Sequence, residues 1–173
     1  MTVPWTTDGG IHQIPLPIHS GGLWLCGKHY IAPRVEDVRR ELGEPTVVCL
    51  TQRHELEDRY DSYVSWLDAH HDTSALWFPI HDLNAPPIED GFALLERVVN
   101  GLHDNQRFIV HCAAGIGRAG TTAVGVLMML GMSEEIATSH VRSHRPMAGP
   151  EAGPQREFIS ALANRLNSQS DQH

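Results

Sequence analysis

The stretch HCAAGIGRAGTT places one cysteine, Cys112, six positions before one arginine, Arg118, with Gly115 and Gly117 between them. A loop that opens a helix aims several backbone N–H groups into one concavity, and the helix dipole adds partial positive charge there. Both glycines are expected to give this loop backbone angles that residues with a Cβ atom resist. Because the planar guanidinium of Arg118 suits phosphate oxygens, the spacing predicts an oxyanion pocket with Cys112 at its base.

A cysteine at the base of an anion pocket can act as a nucleophile. The positive field favours the thiolate form of Cys112, which is then placed for in-line attack on the phosphorus of a bound phosphoryl group. A buried cysteine that merely ends a core strand is the alternative, but it explains neither the glycines nor the arginine. The expected phosphate-binding residues are those of the loop itself: Ala113, Ala114, Gly115, Ile116, Gly117 and Arg118.

Thiolate attack on a phosphate ester also needs a proton donor for the leaving oxygen. A carboxyl group can supply that proton and then act as the base on water in the second step. Asp82 is the best candidate because it follows the predicted strand ALWFPI, and sites in open parallel sheets form at the carboxyl ends of strands. Asp72, Glu89 and Asp90 are the competing carboxylates. Glu89 and Asp90 also fit the first turn of the next helix, where acidic residues suit the dipole.

The segments that carry these residues alternate between strand-like and helix-like patterns. Predicted strands include GGLWLCG, TVVCL, ALWFPI and RFIVHC, and the almost wholly apolar GTTAVGVLMMLG predicts a buried helix after the loop. Ser133 is the expected N-cap of the helix that follows. The alternation predicts an α/β fold with a mostly parallel central sheet and helices on both faces. One domain is expected over residues 21–167, between an irregular arm at 1–20 and a frayed polar tail at 168–173.

The composition narrows the range of partners. The 173 residues carry a formal net charge of −8, which argues against nucleic acid or an anionic membrane as the main partner. No apolar run could span a bilayer, and the first residues do not resemble a signal peptide. Three cysteines make no disulfide framework. A cytoplasmic protein is therefore expected. No metal is expected, because His140 and His144 share a helical face but have no third ligand. The oligomeric state stays open.

The motif HCAAGIGR, with its His-Cys pair followed by Gly and Arg at fixed spacing, resembles the signature of the protein tyrosine phosphatase superfamily. Within it the chain is most similar to the small dual-specificity cysteine phosphatases of the kinase-associated type. The likeness extends over roughly residues 20–166 through GGLWLCG, VVCLTQRHEL, FPIHDLNAPP and VRSHRPMAGPEAGPQREFI. It implies hydrolysis of phosphate monoesters through a cysteinyl-phosphate intermediate, without a metal or another cofactor, and it assigns the acid position to Asp82.

The resemblance also implies supporting roles. His111 would position the loop and tune Cys112, although a satisfied core histidine is the structural alternative. Gln155 matches a glutamine that can orient water, whereas an exposed residue at a helix start is the alternative there. Arg142 and Arg145 would anchor loops by pairing with carboxylates or carbonyl groups. Separately, Cys49 could trap an oxidised Cys112 as a disulfide, but a buried small hydrophobic residue is the preferred interpretation.

Ala119 departs from the family pattern, which usually has Ser or Thr directly after the arginine. That hydroxyl donates a hydrogen bond to the sulfur and eases its departure from phosphorus. Thr122 lies about one helical turn away, roughly 5 Å, and could help only through a water. We therefore expect an enzyme that is slowed in its second step. A phosphate-binding pseudophosphatase that holds phosphorylated partners is the alternative.

The loop side chains between Cys112 and Arg118 bear no charge, which suits polyanionic inositol phosphates or RNA ends poorly. A phosphorylated protein, with phosphotyrosine and also phosphoserine or phosphothreonine as candidates, is the expected substrate. Rhodanese-like sulfurtransferases and arsenate reductases also use a cysteine in an anion-binding loop. Neither class explains His111, Asp82 and Gln155 together, and an arsenate reductase would have only Cys26 and Cys49 as partner thiols.

Overall fold

A five-stranded sheet with strand order β1-β2-β5-β3-β4 forms the centre of the molecule. The computed structural model describes residues 8–172, so the first seven residues of the expected arm, and His173, lie outside the described part. Strands β2 to β5 are parallel, whereas β1 joins the edge of β2 in antiparallel orientation. The expected mostly parallel sheet is confirmed. The strands are β1 (Ile11–Gln13), β2 (Gly22–Gly27), β3 (Thr46–Cys49), β4 (Ala75–Trp77) and β5 (Arg107–Cys112).

Helices cover both faces of this sheet, as the alternating pattern predicts. Helices α1 to α3 pack on one face in a cluster with the inward side chains of β3 and β5. Helices α4 to α7 pack on the other face in the larger apolar cluster. No helix within residues 8–172 is long and apolar enough to cross a membrane. The bounds are α1 (Lys28–Ile31), α2 (Val35–Glu41), α3 (Asp61–His70), α4 (Ile88–His103), α5 (Gly117–Met129), α6 (Glu134–His144) and α7 (Gly153–Ser170).

Helix α5 follows the cysteine–arginine loop directly and is buried from Gly117 to Met128. Its apolar sequence, with three glycines and two alanines, lets it lie between the sheet and its neighbours α4, α6 and α7. The hydroxyl of Ser133 accepts a hydrogen bond from the N–H of Ile136 at 3.3 Å, so the predicted N-cap of α6 is confirmed.

Both predicted chain ends need correction. Residues 11–13 of the arm form a strand instead of irregular chain, and Ile14 is fully buried in the core. At the other end α7 continues to Ser170, so residues 168–170 of the expected frayed tail are helical. The alternation of apolar and polar residues in IHQI was too short to distinguish from the Pro-rich and Gly-rich residues around it.

The register of the parallel strands brings their carboxyl ends to one edge of the sheet. Gly27 at the end of β2 lies beside Cys112 at the end of β5, and Cys49 at the end of β3 lies beside His111. The loops that leave these strands therefore meet at a single place, where ligand sites form in open α/β sheets.

Candidate active site

The loop from Ala113 to Ile116 connects β5 to α5 and forms the base of the candidate site. Cys112, the last residue of β5, is only 3% exposed. Within residues 8–172, no backbone acceptor binds the N–H groups of Ala113 to Gly117, whereas the N–H of Gly120 already bonds to the carbonyl of Ile116. The loop therefore presents unpaired donors at the positive end of α5, as an oxyanion nest requires.

The two loop glycines are needed for different reasons. Gly115 has φ +72°, in the left-handed region, and a Cβ there would lie 2.4 Å from the carbonyl oxygen of Cys26. The expectation of a special backbone angle is thus confirmed for Gly115. It is wrong for Gly117, which has no positive φ. A Cβ on Gly117 would instead lie 2.5 Å from Oε1 of Glu151, so this glycine makes room for a carboxylate.

Arg145, the residue directly after α6, anchors the cysteine–arginine loop by hydrogen bonds to its carbonyl groups. Its Nε donates to the carbonyl of Gly115 and its Nη2 to the carbonyl of Ala114, both at 2.8 Å, and the side chain is fully buried. Its Nη1 also lies 2.6 Å from Nδ1 of His12 in the N-terminal strand. The expected anchoring role of Arg145 is visible in these contacts, and Arg142 likewise reaches a loop carbonyl, that of Pro150, at 3.5 Å.

Arg118 forms a bidentate ion pair with Glu55, a residue that the sequence analysis missed. Its Nη1 and Nη2 each lie 2.8 Å from one carboxylate oxygen, and Nη1 also donates to the carbonyl of Ile80 at 2.8 Å. The Arg118 side chain is 1% exposed and that of Glu55 is 13% exposed. Nε of Arg118 is buried and has no partner among the described residues, which leaves this donor for an oxyanion.

A tight turn after β3 presents Glu55 to the arginine. The backbone N–H of Gln52 donates to Oε2 of Glu55 at 2.7 Å, and Nζ of Lys28 donates to the Glu55 carbonyl at 3.0 Å. Burial raises the pKa of the Glu55 carboxyl, but the hydrogen bonds from Arg118 and Gln52 and the Arg118 charge outweigh it, so the pKa lies below its ordinary value. No signal in the single sequence separates Glu55 from the acidic residues around it.

His111 lies under the loop as a fully buried, neutral residue. Burial lowers its pKa to about 4. Its Nδ1–H donates to the carbonyl of Cys112 at 3.3 Å, so Nε2 is left to accept from the hydroxyl of Tyr63 at 2.6 Å. The expected loop-positioning role and the alternative of a satisfied core histidine therefore coincide, because the bonds that satisfy the ring also fix the peptide of Cys112.

The other two cysteines face away from Cys112. Cys26 and Cys49 are both paired in register with His111, and side chains alternate along a strand, so this row points to the opposite side of the sheet. Both belong to the cluster under α1–α3, whereas Cys112 belongs to the one under α4–α7. Burial raises the pKa of Cys49 to about 11. The preferred interpretation of Cys49 as a buried residue agrees with this placement, and a disulfide with Cys112 does not.

Asp82 is the only one of the four candidate carboxylates whose contacts reach the loop arginine within residues 8–172. Its Oδ1 lies 3.4 Å from Nη2 of Arg118, and its side chain is 63% exposed at the mouth of the site. Glu89 pairs instead with Arg165 at 2.7 Å, and Asp72 lies beside His71. Asp90 is exposed in the first turn of α4, as expected for a residue that suits the helix dipole.

Gln155 is buried, so its interpretation as an exposed residue at a helix start is wrong. Its Oε1 accepts from the N–H groups of Glu151 and Ala152 at 2.9 and 3.4 Å. Its amide nitrogen donates to the carbonyl of Asn84, two residues after Asp82, at 3.4 Å. The side chain thus joins the loop before α7 to the loop that carries Asp82.

Ala119 is fully buried and belongs to the same apolar cluster as Cys112. The hydroxyl of Thr122 donates to the carbonyl of Arg118 at 2.9 Å, so its hydrogen is already used. The expectation that Thr122 could serve the sulfur through a water does not fit this geometry.

The histidine pair on α6 makes contacts within the protein, since Nε2 of His140 lies 2.7 Å from the carbonyl of Pro15. Residues 8–172 contain no group of three or more side chains that could hold a metal ion.

Comparisons with known proteins support the fold. Among curated proteins none matches the chain. Tk-PTP, in a crystal structure of its active form, is 26% identical with TM-score 0.67 over 86% of this chain and 94% of its own. Kinase-associated phosphatase, solved with its catalytic cysteine replaced by serine, is 18% identical with TM-score 0.72 over 91% and 96% of the two chains. The human tyrosine phosphatase-like serine/threonine/tyrosine-interacting protein is 21% identical with TM-score 0.68 over 90% and 97%.

A family comparison extends the likeness from fold to sequence. The family model described as "Swiss Army Knife protein, DSP-PTPase phosphatase domain" matches residues 32–160, which include the turn with Glu55, the loop with Asp82 and the cysteine–arginine loop. The chain therefore belongs to the family of DSP-PTPase phosphatase domains.

Proposed function

We propose that this protein hydrolyses phosphate monoesters as a protein-tyrosine or dual-specificity phosphatase, through a cysteinyl-phosphate intermediate. One observation carries the proposal: Cys112 lies at the base of a nest of unpaired N–H donors, with the unpaired Nε of Arg118 in the same site. Asp82 at the mouth, 3.4 Å from Arg118, completes the set of groups that the reaction needs.

In the first step, the thiolate of Cys112 attacks phosphorus in line and the bond from phosphorus to the ester oxygen breaks. That oxygen takes the proton of Asp82 as it leaves. The loop N–H groups and Arg118 stabilise the charge that builds on the three other phosphoryl oxygens. His111 contributes as a neutral residue, because its two ring nitrogens hold the Cys112 carbonyl and the Tyr63 hydroxyl.

In the second step, a water molecule gives a proton to the Asp82 carboxylate while its oxygen attacks phosphorus, and the electron pair of the S–P bond returns to Cys112. A residue with a hydroxyl at position 119 would stabilise the departing thiolate, and Ala119 cannot. A hydrogen bond to a charged group contributes about 1.5 to 3 kcal/mol. Its absence therefore slows this step by roughly one to two powers of ten.

We infer a phosphorylated protein as the substrate, since the side chains of Ala113, Ala114 and Ile116 add no cations for a polyanion. The net charge of −8 disfavours nucleic acid as a partner. Cys26, Cys49 and Cys112 are all free thiols, which favours the reducing cytoplasm as the compartment.

Ala119 also favours a second candidate, a phosphate-binding pseudophosphatase. Rapid mixing of stoichiometric enzyme with p-nitrophenyl phosphate separates the two, with Cys112→Ser as the control. The enzyme proposal expects a burst of about one equivalent of p-nitrophenol, followed by slow turnover, and neither in the control. Release no faster than in Cys112→Ser, together with tight binding of a phosphopeptide, would replace it with the binding module.

A further inference from the structure

The only lysine of the chain, Lys28, lies directly beside the cysteine–arginine loop. It follows Gly27, which is paired in register with Cys112, and its backbone N–H donates to the carbonyl of Ala113 at 3.0 Å. Its Nζ donates to the carbonyl of Glu55 at 3.0 Å. An ammonium group has three protons and this carbonyl takes one, so Lys28 brings a positive charge with further donors to the edge of the sheet where the candidate site lies.

A second cation, Arg59, lies close to Lys28 because His29 contacts Tyr60. Nδ1 of His29 and the hydroxyl oxygen of Tyr60 are 2.6 Å apart, and this hydrogen bond joins the segment after β2 to the segment before α3. The guanidinium carbon of Arg59 lies 5.4 Å from the centre of the Tyr60 ring. Burial and the charges of Arg59 and Lys28 lower the pKa of His29, against an opposite effect of Asp8. Both cations are therefore close enough to act on the same imidazole.

Neither cation is neutralised within the described part of the chain. The half-buried Lys28 and the exposed Arg59 form no ion pair with a carboxylate of residues 8–172. By contrast, Arg53 on the same segment as Arg59 pairs with Asp68 at 2.9 Å. Two like charges on either side of a neutral ring repel each other, and an anion bound by both would relieve that repulsion.

Glu55 connects these cations to the phosphate-binding arginine. Lys28 bonds to the carbonyl of Glu55, and Arg118 bonds to both of its carboxylate oxygens at 2.8 Å. A single residue therefore separates the Lys28 ammonium from the Arg118 guanidinium. An extended peptide advances about 3.3 to 3.6 Å per residue, so a substrate residue that lies a few positions from the phosphorylated one can reach Lys28.

We propose that Lys28 and Arg59 form an accessory anion subsite for the substrate, an inference that rests on the proposed function. The subsite takes a second anionic group, a carboxylate or another phosphate, that lies near the phosphorylated residue in the same polypeptide. The phosphoryl group that is hydrolysed stays in the loop from Cys112 to Arg118. Selectivity for an acidic neighbour then comes from residues outside that loop.

The test compares three phosphotyrosine peptides whose flanking residues are alanine, aspartate or phosphoserine, with hydrolysis followed through the fluorescence of the tyrosine formed. The wild type should cleave an anionic peptide with a kcat/KM about 10-fold above that of the alanine peptide, as expected for two partly exposed ion pairs. A preference for both anionic peptides, or for one of them, identifies the anion that the subsite takes. The preference should shrink as the NaCl concentration is raised.

Three variants assign that preference to the two cations. Lys28→Gln and Arg59→Gln should each lower the ratio of kcat/KM values, and the double variant should bring it close to one. Because each ratio compares two substrates on one protein, a general loss of activity cancels. Arg97→Gln replaces an exposed arginine of α4 and is the matched control, which should keep the ratio of the wild type.

Binding to Cys112→Ser measures the subsite without turnover. Reductive methylation with labelled formaldehyde keeps the positive charge and marks Lys28 as the only lysine, so its NMR signal should shift more with an anionic peptide than with the alanine peptide. Equal affinities and kcat/KM values for the three peptides, or a preference that survives in the double variant, would overturn the subsite. A wild type without a burst above the Cys112→Ser background would instead refute the proposed function itself, so the two failures are distinguishable.

Discussion

Replacement of Glu55 by Gln tests whether the ion pair with Arg118 positions the phosphate-binding guanidinium. The substitution keeps the shape of the side chain but removes its charge, and it puts an amide N–H2 where one oxygen now faces an arginine nitrogen. Each of the two contacts is 2.8 Å long, and the pair is almost excluded from solvent. Hydrogen bonds to charged groups contribute about 1.5 to 3 kcal/mol each, and loss of one of the two predicts that much destabilisation.

The catalytic activity should fall because the Arg118 guanidinium is no longer held in place. A guanidinium released from Glu55 can move away from the site of the phosphoryl oxygens, and removal of one such donor typically costs about 100- to 1,000-fold in kcat. Because Glu55→Gln displaces the donor without deleting it, we expect a fall of about 10- to 100-fold in kcat/KM for p-nitrophenyl phosphate. Glu57→Gln, an exposed glutamate of the same segment, is the matched control and should change neither activity nor stability.

The pH dependence of stability gives an independent measurement. The pKa of Glu55 is lower in the folded protein than in the unfolded chain, where it is about 4.3. Ionised Glu55 therefore contributes stability that is fully present above the unfolded pKa and is lost as pH falls through the folded pKa. The stability difference between the wild type and Glu55→Gln, measured by urea unfolding, should shrink below pH 4.3. His111 affects both proteins, so the difference isolates Glu55.

Two results would refute this reasoning. One is a kcat/KM within about 3-fold of the wild type, since a correctly placed arginine would then not need Glu55. The other is a stability difference that stays constant from pH 7 to pH 3, because an ionised, paired carboxylate must lose its contribution on protonation.

Two further substitutions test how the Cys112 thiolate leaves phosphorus and how much the hydrogen bond to His111 contributes to stability. Ala119→Ser should raise steady-state turnover by about 10- to 100-fold and shrink the burst, because the new hydroxyl stabilises the departing thiolate; unchanged turnover in stopped-flow assays would show that another step is limiting. Tyr63→Phe should cost about 1 to 3 kcal/mol in urea unfolding because Nε2 of buried His111 loses its donor; equal stability would mean that a water replaces the hydroxyl.

The anion-binding loop from Cys112 to Arg118 could be predicted, because its residues are consecutive in sequence and their types and spacing indicate it directly. Cys112, the loop and Arg118 act as one local unit, strand then loop then helix, and the same unit dictates the apolar sequence of α5. Asp82 could be placed because it follows a strand of the parallel sheet and because the family resemblance separates it from the competing carboxylates. The fold class could be predicted from the alternation of strands and helices, because this alternation is a property of segments that are continuous in sequence.

Glu55 could not be predicted, because it reaches Arg118 only through the tertiary fold. Glu55 lies among other acidic residues, and only its pairing with buried Arg118 separates it from them. The role of Gly117 was misjudged for the same reason, since the neighbour that requires a glycine is far away in sequence. Residues 11–13 were missed because a three-residue edge strand has too few positions to show a period of two.

The two steps of the proposed reaction depend on residues of two kinds: some are consecutive in sequence, and others are brought to the site by the tertiary fold. In the proposed mechanism, the nucleophile and the donors that bind phosphate come from one continuous segment, from Cys112 to Arg118. Proton transfer in this mechanism uses Asp82, which the loop after β4 brings to the same edge of the sheet. The anion nest is held in place independently, by the hydrogen bonds from Arg145 to the carbonyl groups of Ala114 and Gly115. Because Ala119 cannot supply the hydroxyl that the family motif usually provides, the proposed second step depends on Asp82, a residue outside the motif.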